Sequence, residues 1–210
     1  MDLIAGVFAS FDTISRTTCS CLYYVKKNPR VLKKLMEEIS KYKLDCIEEI
    51  AAPKLRDAFQ NCEYLNYVVK EGLRFDVPSP ITLTYKAYEE VDICGVKIPK
   101  GQELIMGIHY VHFNPEEWHR PTEFLPERFD PESEFFLKPG TNSKRHPKSF
   151  NAFSFGKRRC VGQTLAVQSI KVILARLLTN LNFEITQELM NREKPSFDLY
   201  SNTELTFKVI

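Results

Sequence analysis

Phe153-Ser154-Phe155-Gly156-Lys157-Arg158-Arg159-Cys160-Val161-Gly162 is the stretch from which the rest of the chain can be read. One cysteine follows three consecutive cations in a glycine-bearing loop, and an apolar helical pattern begins directly behind it. Neighbouring cations and the positive end of a helix dipole both favour thiolate over thiol. A thiolate so placed is a metal ligand or a nucleophile. The plain alternative is a small buried hydrophobe, which is what most single cysteines are. The neighbours weigh against it. Phe153 supplies an apolar wall, and Gly156 a turn that lets backbone approach a planar group. Arg158 offers a donor fork suited to a carboxylate, and Gly162 lets the next helix lie close by.

Size and composition set the frame. A chain of 210 residues can bury a real core, and 43% hydrophobic with 27% charged residues is ordinary for a globular protein. The six cysteines (19, 21, 46, 62, 94, 160) form no C-x-x-C pair and no even framework. Zinc or a disulfide scaffold is therefore disfavoured, and a reducing compartment fits better. No apolar run reaches the roughly 18 residues of a membrane span, and Met1-Asp2 lacks the basic start of a secretory signal. Net charge is only +2, but its distribution is uneven. From Phe135 to Phe183 there are nine Lys or Arg and no Asp or Glu, so the remainder holds 20 basic against 27 acidic residues, or −7. A basic patch around the cysteine would draw an acidic partner. Solvated loop lysines are the plainer reading, and nucleic acid is the weakest because no binding motif accompanies the charge.

Outward from the loop, periodicity predicts four helices. The first runs from the start to about residue 27, with Leu3, Ile4, Val7, Phe8, Phe11 and Ile14 at spacings of three and four. Asn28-Pro29 stops it and restarts a second over about 29–42, with Asn28 as its cap. A third covers about 62–75 and ends before Pro78 and Pro80, and the fourth follows Cys160. Between them the alternation Ile81, Leu83, Tyr85, Ala87 against Thr82, Thr84, Lys86 predicts a strand. A hairpin is expected around Gly95, a further strand over Leu104–Ile108, an irregular stretch over 111–150, and strands over 183–210 with a turn near Ser201-Asn202-Thr203.

Three other constellations carry chemistry. Asp12-Thr13 interrupts the first helix; a helix N-cap is the plain reading, but apolar periodicity continues on both sides. Glu71 and Arg74 stand three apart, where helical side chains meet. The same spacing recurs at Glu117 and Arg120, which lie between prolines and are expected outside any helix. Pro126-Glu127-Arg128-Phe129 follows, and His112 precedes Asn114-Pro115 and Trp118.

The spacing F-x-x-G-x-R-x-C-x-G resembles the haem-ligand signature of the cytochrome P-450 family at every specified position. The order E-x-x-R, then P-E-R-F, then the cysteine loop, is similar to that family's order, as is Ala9-Ser10-Phe11-Asp12-Thr13 to its oxygen-site helix. The resemblance covers nearly the whole chain and implies an α+β fold, mainly helical with small sheets. It implies haem b held by the Cys160 thiolate, with Phe153, Gly156, Arg158 and Gly162 around it and Arg158 on a propionate. Asp12 and Thr13 would relay protons, a general-acid task. Glu71, Arg74 and Arg128 would form a buried structural network, and Ala9, Pro80, Ile81, Thr84 and Asn202 would line the substrate space. His112 is expected to pack or hydrogen-bond, without binding iron. The sequence departs from the family pattern at Ser10, where glycine is usual, at Ile14, and at Thr84, where many members place an arginine.

The activity so implied is a monooxygenase reaction inserting one oxygen atom of O2 into a small apolar organic substrate. NADPH would supply electrons through a reductase docked on the basic face, at the cytoplasmic side of the endoplasmic reticulum, as in eukaryotic microsomal members. By the same resemblance residues 1–210 form a single partial domain without the N-terminal half, membrane anchor or most of the substrate roof. A non-catalytic haem-binding or interaction fragment is therefore a second reading. A redox-independent isomerase or dehydratase is a third, lowered by the retained Asp12-Thr13.

Overall fold

Four helices make the core because their apolar positions recur every third and fourth residue and face one another. The computed structural model describes residues 3–45, 52–185 and 207–209. Helix α1 spans Leu3–Lys27, α2 Pro29–Lys41, α3 Ala52–Asn61, α4 Glu63–Phe75, α5 Ile108–His112 and α6 Gln163–Asn180. Cys21, Leu22 and Val25 of α1 pack with Val31, Leu35 and Ile39 of α2, Leu65, Val68, Val69 and Leu73 of α4, and Ile170, Leu174 and Ala175 of α6. Each fully buried Leu, Ile or Val contributes about 1.5–3 kcal/mol relative to exposure. Among the described residues no helix is long and apolar enough to cross a membrane.

Helix starts are set in unexpected ways. Asn28 sits at the α2 N-cap position, yet its side chain makes no bond to that helix. Its amide instead donates backward to the Tyr24 carbonyl of α1 at 2.7 Å, so it closes the first helix while Pro29 opens the second. Cys62 likewise caps nothing for α4. Glu38 of α2 performs that task across space, its two carboxylate oxygens accepting the Tyr64 and Leu65 backbone N–H groups, each at 2.8 Å. These are orphan donors of the first turn, where a carboxylate also meets the positive end of the dipole.

Among the described residues the sheets are three two-stranded antiparallel pairs. Strand β1 (Tyr85–Lys86) pairs with β4 (Glu103–Leu104), β2 (Val91–Ile93) with β3 (Val96–Ile98) around Gly95, and β5 (Phe183–Ile185) with β6 (Phe207–Val209). The expected strand over residues 81–87 is reduced to two residues and one bridge, Ile81 to Gly107. Its alternation is also broken, since Leu83 is 67% exposed and Thr82 is buried. Thr82 is drawn in by hydrogen bonding: its N–H donates to the Met106 carbonyl at 2.9 Å and its Oγ1 accepts the Met106 N–H at 3.1 Å. The strand expected over Leu104–Ile108 ends at Leu104, and Ile108 opens α5. The short apolar run there suits either period.

Candidate functional site

The cysteine loop is built from backbone geometry. Ser154 and Gly156 both adopt left-handed conformations, with φ of 59° and 66°, and Gly156–Arg158 forms one 3-10 turn. The Cys160 N–H donates to the Phe153 carbonyl at 2.9 Å and closes the loop. Gly162 takes the N-cap position of α6, where a Cβ would meet the Cys160 sulfur at 3.8 Å. Phe153 is half-buried against the core, while Gly156, Arg158 and Cys160 are exposed. A solvent-facing thiol, a guanidinium two residues before it and an apolar flank at Val161 and Leu165 (82% and 66% exposed) form one surface segment. That donor set suits a planar apolar group carrying a soft-ligand metal and an anionic rim.

Helix α1 runs unbroken through Asp12 and Thr13, so neither starts a new helix. The Thr13 hydroxyl donates to the Ala9 carbonyl at 2.8 Å, a bond back by one turn. Asp12 and Ala9 are exposed. Ser10 is similarly occupied, donating to the Val7 carbonyl at 2.9 Å. Of the expected substrate-lining residues, the Pro80 carbonyl accepts the His109 N–H at 3.2 Å, Ile81 is half-buried in its bridge and Thr84 is exposed. Asn202 lies outside the described residues.

Glu71, Arg74 and Arg128 come together with no exposed side-chain surface. Arg74 grips Glu71 in a fork, Nε to Oε2 and Nη2 to Oε1, both at 2.8 Å. Arg128 Nε adds a bond to Oε1 at 3.0 Å, and the Leu125 N–H another at 2.9 Å. The surplus positive charge is met by carbonyls. Arg74 donates to His112 O at 2.8 Å and Glu123 O at 3.3 Å, and Arg128 to His119 O, to Arg120 O at 2.7 Å and to Glu123 O at 2.9 Å. Burial nevertheless holds the Arg128 guanidinium below its ordinary pKa, only partly offset by Glu71. Glu117 and Arg120 lie outside any helix and do not pair: Glu117 binds Lys138 at 2.7 Å and Arg120 binds Glu123 at 3.1 Å.

Several members of the site carry no motif. Arg145 belongs to the acid-free run, yet it turns inward. It donates to Phe135 O at 2.9 Å and Arg128 O at 2.6 Å, with its guanidinium 4.4 Å from the centre of the Trp118 ring. Lys171 is also buried, donating to Phe59 O at 3.3 Å. With Lys138 bound to Glu117, the exposed cations of the acid-free run reduce to Lys144, Lys148, Lys157, Arg158 and Arg159. Glu127, beside Arg128, points the other way and takes hydrogen bonds from Arg30, from Lys34 at 2.9 Å and from the Tyr64 hydroxyl at 3.1 Å. Burial pushes the Glu127 carboxyl up, but the donors around it prevail and bring it down to about 2. No sequence signal marked Arg145 or Glu38, and Glu127 was visible only as a member of Pro126-Glu127-Arg128-Phe129.

A family model described as "Cytochrome P450" matches residues 2–209. Among curated proteins, Cytochrome P450 3A19 of Capra hircus aegagrus is 36% identical over 177 residues, which cover 84% of this chain and 75% of that one. Cytochrome P450 3A28 of Bos taurus is 34% identical over 182 residues, 87% of this chain and 33% of the relative. Cytochrome P450 3A5 of Homo sapiens is 32% identical over 203 residues, 91% and 38% respectively. The chain thus spans a little over a third at most of the bovine and human relatives, and three quarters of the goat protein.

Proposed function

Because this chain belongs to the cytochrome P450 family, we propose that it supplies the thiolate side of a haem monooxygenase acting on a small apolar organic substrate. When bound, the haem would supply activation of O2, one atom going to the substrate and the other, with two electrons and two protons, to water. The observation that carries this reading is the exposed Cys160 sulfur, presented by a loop closed through its own N–H onto Phe153.

Within that reading Cys160 holds the iron, Arg158 pairs with a propionate, Phe153 excludes water from one edge, and Gly156 and Gly162 keep the loop and the α6 start free of side chains. The Thr13 hydroxyl holds a proton one turn from Ala9, and exposed Asp12 exchanges protons with solvent. Lys144, Lys148, Lys157 and Arg159 form the docking face for a reductase that takes electrons from NADPH. The assembled protein sits at the cytoplasmic face of the endoplasmic reticulum.

Haemin titration of the purified chain, then reduction under carbon monoxide, tests the assignment. A strongly red-shifted Soret band that disappears in Cys160→Ala is expected; absence of haem uptake sinks the proposal for this chain. A non-catalytic haem-binding or interaction role is the second reading, favoured by the exposure of Phe8 and Phe11 (75% and 78%) on the expected oxygen-site helix. Substrate-dependent NADPH consumption with added reductase separates the two.

A further inference from the structure

His112 joins the ion network to the segment that runs into the cysteine loop. Its side chain has no exposed surface, and its ring stacks on Phe150 with centroids 5.5 Å apart and planes at 18°. Nε2 lies 2.9 Å from the backbone nitrogen of Asn151. A backbone N–H can only donate, so Nε2 is the acceptor and the ring proton sits on Nδ1. Nδ1–H then donates to the Arg74 carbonyl at 3.1 Å, while Arg74 Nη1 donates to the His112 carbonyl at 2.8 Å. Burial, and then the Arg74 charge, bring the His112 pKa down to about 3, which keeps this tautomer neutral at ordinary pH.

From Asn151 the path continues. Its carbonyl accepts the Ser154 N–H at 3.0 Å, and the carbonyl of Phe153 accepts the Cys160 N–H at 2.9 Å. Both ring nitrogens are thus committed to backbone partners, one on each side. We propose that His112 is a positioning residue for Cys160: its imidazole splices Arg74 to Asn151 and so fixes the cysteine loop relative to the Glu71–Arg74–Arg128 network. The functional meaning of that position rests on the haem-thiolate reading, but the contact itself needs no cofactor.

Three substitutions divide the two bonds. His112→Asn can still donate to the Arg74 carbonyl but cannot reach Asn151. His112→Gln can accept from Asn151 but gives up the Nδ1 donor. His112→Phe keeps the stack on Phe150 and makes neither bond. Amide hydrogen exchange at Asn151 and Cys160 is read in the chain without cofactor. Exchange at both amides should accelerate about tenfold in the Asn and Phe variants and much less in the Gln variant, as expected for loss of one buried hydrogen bond. After haemin addition, the red-shifted carbon-monoxide form should fall in the same order.

Equal exchange in folded Asn and Gln variants would overturn the assignment, leaving His112 only a packing residue. If the Asn and Phe variants do not fold, the parent decides: an Asn151 amide exchanging at the free-peptide rate also overturns it. A parent that takes up no haem, yet shows the graded exchange, refutes the haem-thiolate reading and supports the positioning contact.

Discussion

Replacing Gly72 by alanine should destabilise the protein, although alanine is the better helix former. Gly72 lies inside α4, between Glu71 and Leu73, where glycine forfeits about 1 kcal/mol relative to alanine. That gain is opposed by geometry. A Cβ on Gly72 would overlap Cys21 Sγ of α1, a thiol with no exposed surface, while the next nearest atoms, Cys21 Cβ and Cα, stand at 3.7 and 3.9 Å in ordinary contact. Overpacking costs about 1–3 kcal/mol, and a deep overlap with a buried sulfur belongs at about 2–3, so Gly72→Ala should lose about 1–2 kcal/mol net. Cys21→Ala removes only the overlapping atom. In that background Gly72→Ala should gain about 1 kcal/mol, giving a coupling of about 2–3 kcal/mol between the sites. Thermal unfolding of the four proteins followed by circular dichroism measures this, each kcal/mol shifting Tm by about 2–4 °C at this size. The same sign for Gly72→Ala in both backgrounds would refute the claim that this sulfur sets the α1–α4 approach.

Glu71→Gln leaves two buried guanidiniums without their carboxylate and should cost about 3–5 kcal/mol, read as a lowered urea midpoint; a loss under about 1 kcal/mol would contradict the network. The Glu127 carboxyl, at about 2 against 4.5 ordinarily, stabilises the fold above the ordinary value and loses that contribution as pH falls toward 2. The stability difference between the parent and Glu127→Gln should therefore shrink between about pH 5 and pH 2, and high salt should also reduce it because Arg30 and Lys34 are half-exposed. Gly156→Ala meets no atom within 4 Å but must hold φ at 66°, so it should cost about 1 kcal/mol by conformation alone, measured by the same urea titration.

The long helices were legible because α1, α2, α4 and α6 carry their burial at a 3.6-residue period. Helix α3 was not, since Ala52–Asn61 offers little apolar periodicity beyond Leu55, Ala58 and Phe59. Strand alternation misled at Thr82, where backbone partners drew the hydroxyl inward. In the site, Glu71, Arg74 and Arg128 could be named from the resemblance of their order to the family pattern. Arg145 and Lys171 could not, because a count of charges does not show which cations face inward and find carbonyls. Asn28 shows the same limit on a smaller scale: residue type and position suit an α2 cap, while the amide in fact serves α1.

Glu38 has a practical consequence for anyone shortening or rebuilding this protein. Helix α4 begins where it does because a carboxylate 26 residues earlier in the chain receives its first amides. Excising α2 to make a minimal unit would therefore fray the helix that carries Glu71 and Arg74, even with α4 left intact. A grafted α4 would need its own carboxylate or hydroxyl at residue 62, so Cys62→Asp or Cys62→Ser is the first change a designer of such a unit should make.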